Sequence, residues 1–277
     1  MIIAIDLGGT NLRVGVVNKQ KVERRLQEKL VNKNDKWKTV DQIKNLISQL
    51  FSSEVEGIGI GVPSVVDVEK GIVYNVANIP SWDEVHLKDI LESEFKVPVH
   101  VNNDVNCFVL GEHAYGEGKG YSSVVGLAIG TGLGAGIVID NKLYEGNNAG
   151  AGEIGLLPYL ENDLEFYCSS TFFTQINNTS GKKLEDLAVE GDARAMELWN
   201  EFGKHMSQAI KYVMLTYDPQ IIVLGGSIAG AYSFFEKSMR ENLNDFAYPN
   251  SVKRLIISRS QNTESNLLGA SCLVNKK

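Results

Sequence analysis

Asp6, Gly8, Gly9, Thr10 and Asn11 stand together between two apolar runs, Ile2–Ile5 and Leu12–Val17. Glycines carry no Cβ, so backbone N–H groups there can approach a bound anion closely. Thr10 adds a hydroxyl donor, and Asp6 offers a carboxylate where a hydrated Mg²⁺ would sit beside phosphates. Such a hairpin is a phosphate cradle without a Walker loop; the plainer alternative is a tight hairpin with a solvated aspartate. A second turn, Gly130-Thr131-Gly132-Leu133-Gly134, offers donors of the same kind through Thr131 and Gly132. Its plainer alternative is glycine tolerated where strands crowd. Two such turns facing each other would clamp a triphosphate from both sides, as phosphoryl transfer requires. A third turn, Gly225-Gly226-Ser227, follows an apolar strand and opens a helix, a place for a nucleotide's sugar, adenine or α-phosphate.

Three carboxylates complete the chemistry. Asp104, in Asn102-Asn103-Asp104, follows a strand and can accept a proton from a hydroxyl as it attacks a phosphoryl group. It, or Asn103, can equally cap the helix expected over Val105–Tyr115, and the two roles can coexist. Glu153, in Gly152-Glu153-Ile154-Gly155, and Glu165 are acceptors for sugar hydroxyls, although Glu165 in the helix-like run Asp163–Thr174 can instead face solvent. His86, His100, His113 and His205 have no metal-ligand spacing. Phe172-Phe173 and Trp199/Phe202 read as core.

The elements that position these groups alternate between strand and helix. Strands are expected at Ile2–Ile5, Leu12–Val17, Val22–Val31, Val55–Val62 and Val97–Val101, and an amphipathic helix over Thr39–Phe51 with Val40, Ile43, Leu46, Ile47 and Leu50 on one face. Gly57, Gly59 and Gly61 alternate along one strand, which predicts a face packed closely by a helix; they lack the GxGxxG spacing of a dinucleotide site. After the polar, glycine-bearing hinge at Gly116–Gly120 the pattern restarts with a strand at Val124–Ile129, a glycine turn and a returning strand. Later come helices over Leu184–Thr216, strands at Ile221–Leu224 and Leu255–Ile257, and a terminal helix over Thr263–Val274. This pattern is α/β, with two lobes and a cleft between them.

The bulk properties exclude several classes. A net charge of −7 argues against a nucleic-acid binder. Three separated cysteines, Cys107, Cys168 and Cys272, argue against a disulfide framework or zinc knuckle and for a reducing, cytoplasmic location. No apolar run approaches the ~20 residues that span a bilayer, and the first strand begins where a signal sequence would.

Together these motifs resemble the ROK family of sugar kinases and repressors, within the sugar kinase, Hsp70 and actin superfamily, over essentially the whole chain. Asp6-Leu7-Gly8-Gly9-Thr10 is similar to the phosphate-1 motif, Gly130–Gly134 to the phosphate-2 motif and Leu224-Gly225-Gly226-Ser227 to the adenosine motif. Gly61–Asp67, with Ser64, and Asn78–Trp82 resemble two sugar-lobe segments, each with Ser where Gly is usual. The resemblance implies a two-lobed, actin-like (ribonuclease H-like) fold. It implies a first lobe over residues 1–116 with the terminal segment 263–277 packed back on it, and a nucleotide and dimerisation lobe over 117–262. It implies ATP and Mg²⁺ as cofactors and a homodimer. Asp104 is then the base; Ser64, Asn78, Asn103, Glu153 and Glu165 face the sugar; and Gly8, Gly9, Thr10, Asn11, Thr131, Gly132, Gly225 and Gly226 face the nucleotide, with Asp6 near the metal. The activity implied is transfer to the 6-hydroxyl of a hexose, glucose first. Other hexoses or an N-acetylhexosamine, polyphosphate as donor, a non-catalytic sugar sensor and an actin-like ATPase are the alternatives.

Two departures from the family pattern matter. Leu156 stands where a sugar- and zinc-contacting His is usual, and Leu157–Asp163 has no cysteine, so no structural zinc is expected. The repressors' N-terminal helix-turn-helix has no room before Asp6.

Overall fold

The computed structural model describes residues 1–274; Asn275, Lys276 and Lys277, the end of the segment expected to pack back on the first lobe, lie outside the described residues. Two five-stranded sheets repeat one another. The first has the order Lys21–Lys29, Asn11–Asn18, Ile2–Leu7, Gly57–Val62, Val99–Asn103. Its first three strands are joined antiparallel and the last two are added parallel. The second has the order Lys142–Leu143, Leu133–Ile139, Val124–Ile129, Ile221–Gly225, Ile256–Arg259, with the same sequence of senses. Continuous apolar runs such as Ile2–Ile5 and Ile221–Leu224 form strands buried on both faces, as parallel neighbours covered by helices require.

Two helices, Asp104–Tyr115 and Ser265–Cys272, lie between the sheets. The later helix packs on Ile2–Leu7 and Gly57–Val62, and the earlier one on Val124–Ile129 and Leu133–Ile139. The close packing expected at the alternating glycines is present: Gly59 lies against the Ala270 carbonyl, and a Cβ on Gly61 would stand 3.1 Å from Cys107 Sγ. The two helices also touch backbone to backbone, with Gly269 against the Cys107 carbonyl.

On the outer face of the first sheet the helix Lys36–Leu50 buries Val40, Ile43, Leu46, Ile47 and Leu50. It starts before the expected Thr39 because Asp35 caps it, accepting from the Trp37 and Lys38 N–H groups at 3.1 and 3.2 Å. In the second lobe Phe172, Phe173, Trp199, Phe202 and Phe235 form an aromatic core. His205 joins it, within 3.0 Å of the Tyr159 hydroxyl, and burial pulls its pKa down to about 4. The run Asp163–Thr174 is not one helix. Leu164–Cys168 is helical, Ser169 is extended with its hydroxyl oxygen taking the Thr171 N–H at 3.1 Å, and a π-turn follows over Phe172–Ile176.

Candidate active site

The first turn is set by hairpin register. Asp6 pairs directly with Arg13, and Gly8 N–H closes the turn on the Asn11 carbonyl at 2.9 Å. Asp6 is 7 % exposed. Its Oδ2 accepts from Arg13 Nε at 2.8 Å and from Nη2, while among the described residues Oδ1 takes only Asn266 Nδ2, at 3.3 Å. Arg13 also reaches the Thr263 carbonyl, so it ties the hairpin to the approach of the last helix.

Asp104 owes its position to two asparagines. Asn102 is fully buried; its Oδ1 accepts from Asn103 N–H at 2.8 Å and from Asn106 Nδ2 at 3.0 Å, and its Nδ2 donates to Glu145 at 2.6 Å. Asn103 then caps the helix, with Oδ1 accepting from Val105 and Asn106 N–H at 2.8 and 3.2 Å. Capping therefore falls chiefly to Asn103. Asp104 shares only the Val105 N–H, through Oδ1 at 2.9 Å, and Oδ2 has no hydrogen bond among the described residues. Withdrawal from water, reinforced by the negative charge of Asp6 and more weakly of Glu153, pushes the Asp104 carboxyl up to about 7; the Val105 N–H partly offsets this.

The second turn is braced from behind. Glu165 Oε2 accepts the Leu133 N–H at 2.9 Å, so Glu165 is turned inward to the cleft and not out to solvent. A Cβ on Gly132 would collide with that carboxylate. Burial, followed by the charge of Glu165, raises the pKa of Glu153. Gly226 has φ +86° and lies against the backbone of Ile129, so the third turn is packed onto the end of the strand that leads to the second. Only glycine combines that φ with that approach.

These turns surround a cleft of about 860 Å³. Asp6, Gly8, Gly9, Thr10, Ser64, Asn78, Asn103, Asp104, Thr131, Gly132, Glu153 and Glu165 all line it. A neighbouring cavity of about 460 Å³ is lined by Gly225, Gly226, Ser227 and the segment Arg259–Thr263. Arg13, Phe108, Gly226 and Asn266 border both, so the two spaces adjoin. Asn11 stands apart: it contributes its carbonyl to the turn and pairs with Lys29, but its side chain borders neither space. The hydroxyl of Ser64 donates to the Tyr74 carbonyl, which leaves its oxygen only an acceptor role toward a ligand. Leu156 lines the cleft and is 66 % exposed. Arg13, Lys33, Asn75 and Asn266 also line it and were not anticipated.

The donor set suits a hydrated divalent ion better than a protein-caged one. Asp6 Oδ1 is the oxygen left open by Arg13, and no group of three or more His, Cys, Asp or Glu among the described residues is placed to hold a metal. An ion at Asp6 would take most of its ligands from water and phosphate, as Mg²⁺ commonly does.

Comparison with known proteins places the fold and the family. The chain is 27% identical to a glucokinase of Thermotoga maritima, over 100% of this chain and 98% of that protein. It is 30% identical to an N-acetyl-D-glucosamine kinase of Vibrio cholerae, over 86% and 87%. The crystal structure of a ROK family glucokinase from Streptomyces griseus, in complex with glucose and AMPPNP, matches with a TM-score of 0.87 at 23% identity, over 100% of this chain and 99% of that one. The fold is thus the two-lobed, actin-like ATPase fold. The ROK family model matches residues 2–277, and the chain belongs to the ROK family.

Proposed function

We propose that this chain is an ATP-dependent hexose kinase that phosphorylates the 6-hydroxyl of a hexose, with glucose the first choice. The observation that carries this reading is the open Oδ2 of Asp104, on the wall of a cleft bounded by two glycine turns. In this reading the triphosphate lies between Gly8–Thr10 and Thr131–Gly132, and the adenosine enters the smaller cavity against Gly225 and Gly226. Asn78, the Nδ2 of Asn103, Glu153 and the open oxygen of Glu165 hold sugar hydroxyls. Asp6 would hold Mg²⁺, and the ion would supply charge neutralisation at the phosphates. Asp104 accepts the proton of the attacking hydroxyl while the new O–P bond forms and the bond from the γ-phosphorus to ADP breaks. A carboxyl poised near neutrality combines a substantial ionised fraction with the strongest proton affinity open to it.

Leu156 supports a second reading. It presents apolar surface beside Glu153 and lacks the donor and acceptor of an imidazole, so an N-acetylhexosamine, whose acetyl methyl could rest there, is the alternative acceptor. A coupled ADP-release assay over a hexose panel tests both. Sugar-dependent ADP release supports the kinase, and the preferred sugar separates the two readings. Sugar binding without turnover would make the chain a sensor, and sugar-independent ADP release an ATPase.

A further inference from the structure

The cleft brings four carboxylates, Asp6, Asp104, Glu153 and Glu165, close to where a polyanionic nucleotide would lie. Among the described residues that line it, the cations are Arg13 and Lys33. Arg13 is committed to Asp6 through both Nε and Nη2. Lys33 is not committed to a carboxylate. Its ammonium donates to the carbonyl of Gly9, in the middle of the first glycine turn, which leaves two of its three N–H donors open.

The backbone fixes that placement. Leu30 N–H donates to the Thr10 carbonyl at 2.8 Å, so the segment runs beside the turn. Asn32 has φ +57° and reverses the chain. The Lys33 carbonyl then accepts from Ser81 Oγ at 2.8 Å and from Ser81 N–H at 3.3 Å. Lys33 is thus anchored from two sides before its side chain extends to Gly9. A neutral carbonyl is a weaker partner for an ammonium than a phosphate oxygen, which adds a full opposite charge to the hydrogen bond.

We infer that Lys33 is the cation that contacts the terminal phosphoryl group of the bound nucleotide. It shifts from the Gly9 carbonyl to a γ-phosphate oxygen and holds the charge carried by the group in transfer. The inference rests on the proposed nucleotide site, but not on the identity of the sugar.

The test is calorimetric titration of AMPPNP and of ADP, each with Mg²⁺ and without sugar, into the wild type, Lys33→Gln and Lys33→Arg. Glutamine keeps a polar N–H donor beside the turn but carries no charge. One charge-assisted hydrogen bond, at about 1.5 kcal/mol or more, predicts that Lys33→Gln weakens AMPPNP at least about tenfold. ADP binding changes less than about twofold, and Lys33→Arg keeps most of the AMPPNP affinity. Equal weakening of both nucleotides would reduce Lys33 to a brace for the turn and overturn the inference, as would no weakening at all. An AMPPNP-selective loss in a protein that fails every hexose assay would uphold Lys33 and remove the sugar-kinase reading instead.

Discussion

The two glycine turns occupy equivalent places in sheets of identical order and sense, yet their surroundings differ sharply. Charge surrounds the first: Asp6 precedes it, Arg13 pairs across it and Lys33 caps its carbonyl. Neutral donors make up the second, in Thr131 and Gly132, with Glu165 drawn underneath to hold the Leu133 N–H. One scaffold used twice therefore divides the work. In the proposed reading the first hairpin handles the metal and the group in transfer, and the second supplies a preorganised wall of backbone and hydroxyl donors, whose value is that they need no reorganisation during reaction. Asp104 follows the last strand of the first sheet and starts the helix that packs on the second, so it belongs to the meeting of the two.

Substitutions on each side sharpen this contrast. The largest loss belongs to Asp104→Asn, which removes the proposed base and predicts a turnover about 10² to 10⁴ lower, measured as ADP release at saturating sugar. Next comes Asp6→Asn on the charged hairpin, with turnover down about 100-fold and a higher Mg²⁺ requirement in a metal titration. On the neutral side Gly132→Ala drives a Cβ into Glu165 and costs about 1 to 2 kcal/mol of nucleotide binding, seen as a KM for ATP raised about tenfold, with sugar affinity also lowered because the displaced carboxylate is a proposed sugar contact. An equally large change in the Mg²⁺ requirement of Gly132→Ala would break the division between the turns. The gentlest effect is on pH. As the proposed base Asp104 would work ionised, and its carboxyl is pushed up to about 7, so kcat/KM should fall as pH drops below that value and level off above it. Stability runs the other way. An unfolded carboxyl titrates near 4, so the folded chain holds the extra proton between about 4 and 7 and loses stability as pH rises through that window. Denaturant midpoints of the wild type and Asp104→Asn across it check the sign, since the variant should lose the slope.

What could be read from the chain follows from how local each signal is. Asp6–Thr10, Thr131-Gly132 and Gly225-Gly226 are contiguous, and each couples a strand end to residues chosen for close approach, so their meeting around one space was legible. So was the face of Lys36–Leu50, since its 3.6-residue period survives in any context. Arg13 was readable in principle: once the hairpin is drawn, register puts it opposite Asp6. Lys33 was not, because its direction depends on a left-handed Asn32 and on Ser81, far along the chain. Asn266 likewise reaches Asp6 only through the final helix. The break at Ser169 escaped because helix propensity is nearly continuous there, and a side-chain bond to the Thr171 N–H decides the ending. Asn11 was drawn into the site by its neighbours, although the hairpin turns its side chain away.

The most direct measurement is a crystal structure with a hexose and AMPPNP bound. The account predicts the primary hydroxyl of the sugar about 2.6 to 3.2 Å from the open oxygen of Asp104, with the γ-phosphorus beyond it between the two turns. A sugar seated with that hydroxyl bonded elsewhere, and Asp104 turned wholly onto the Val105 N–H, would contradict it.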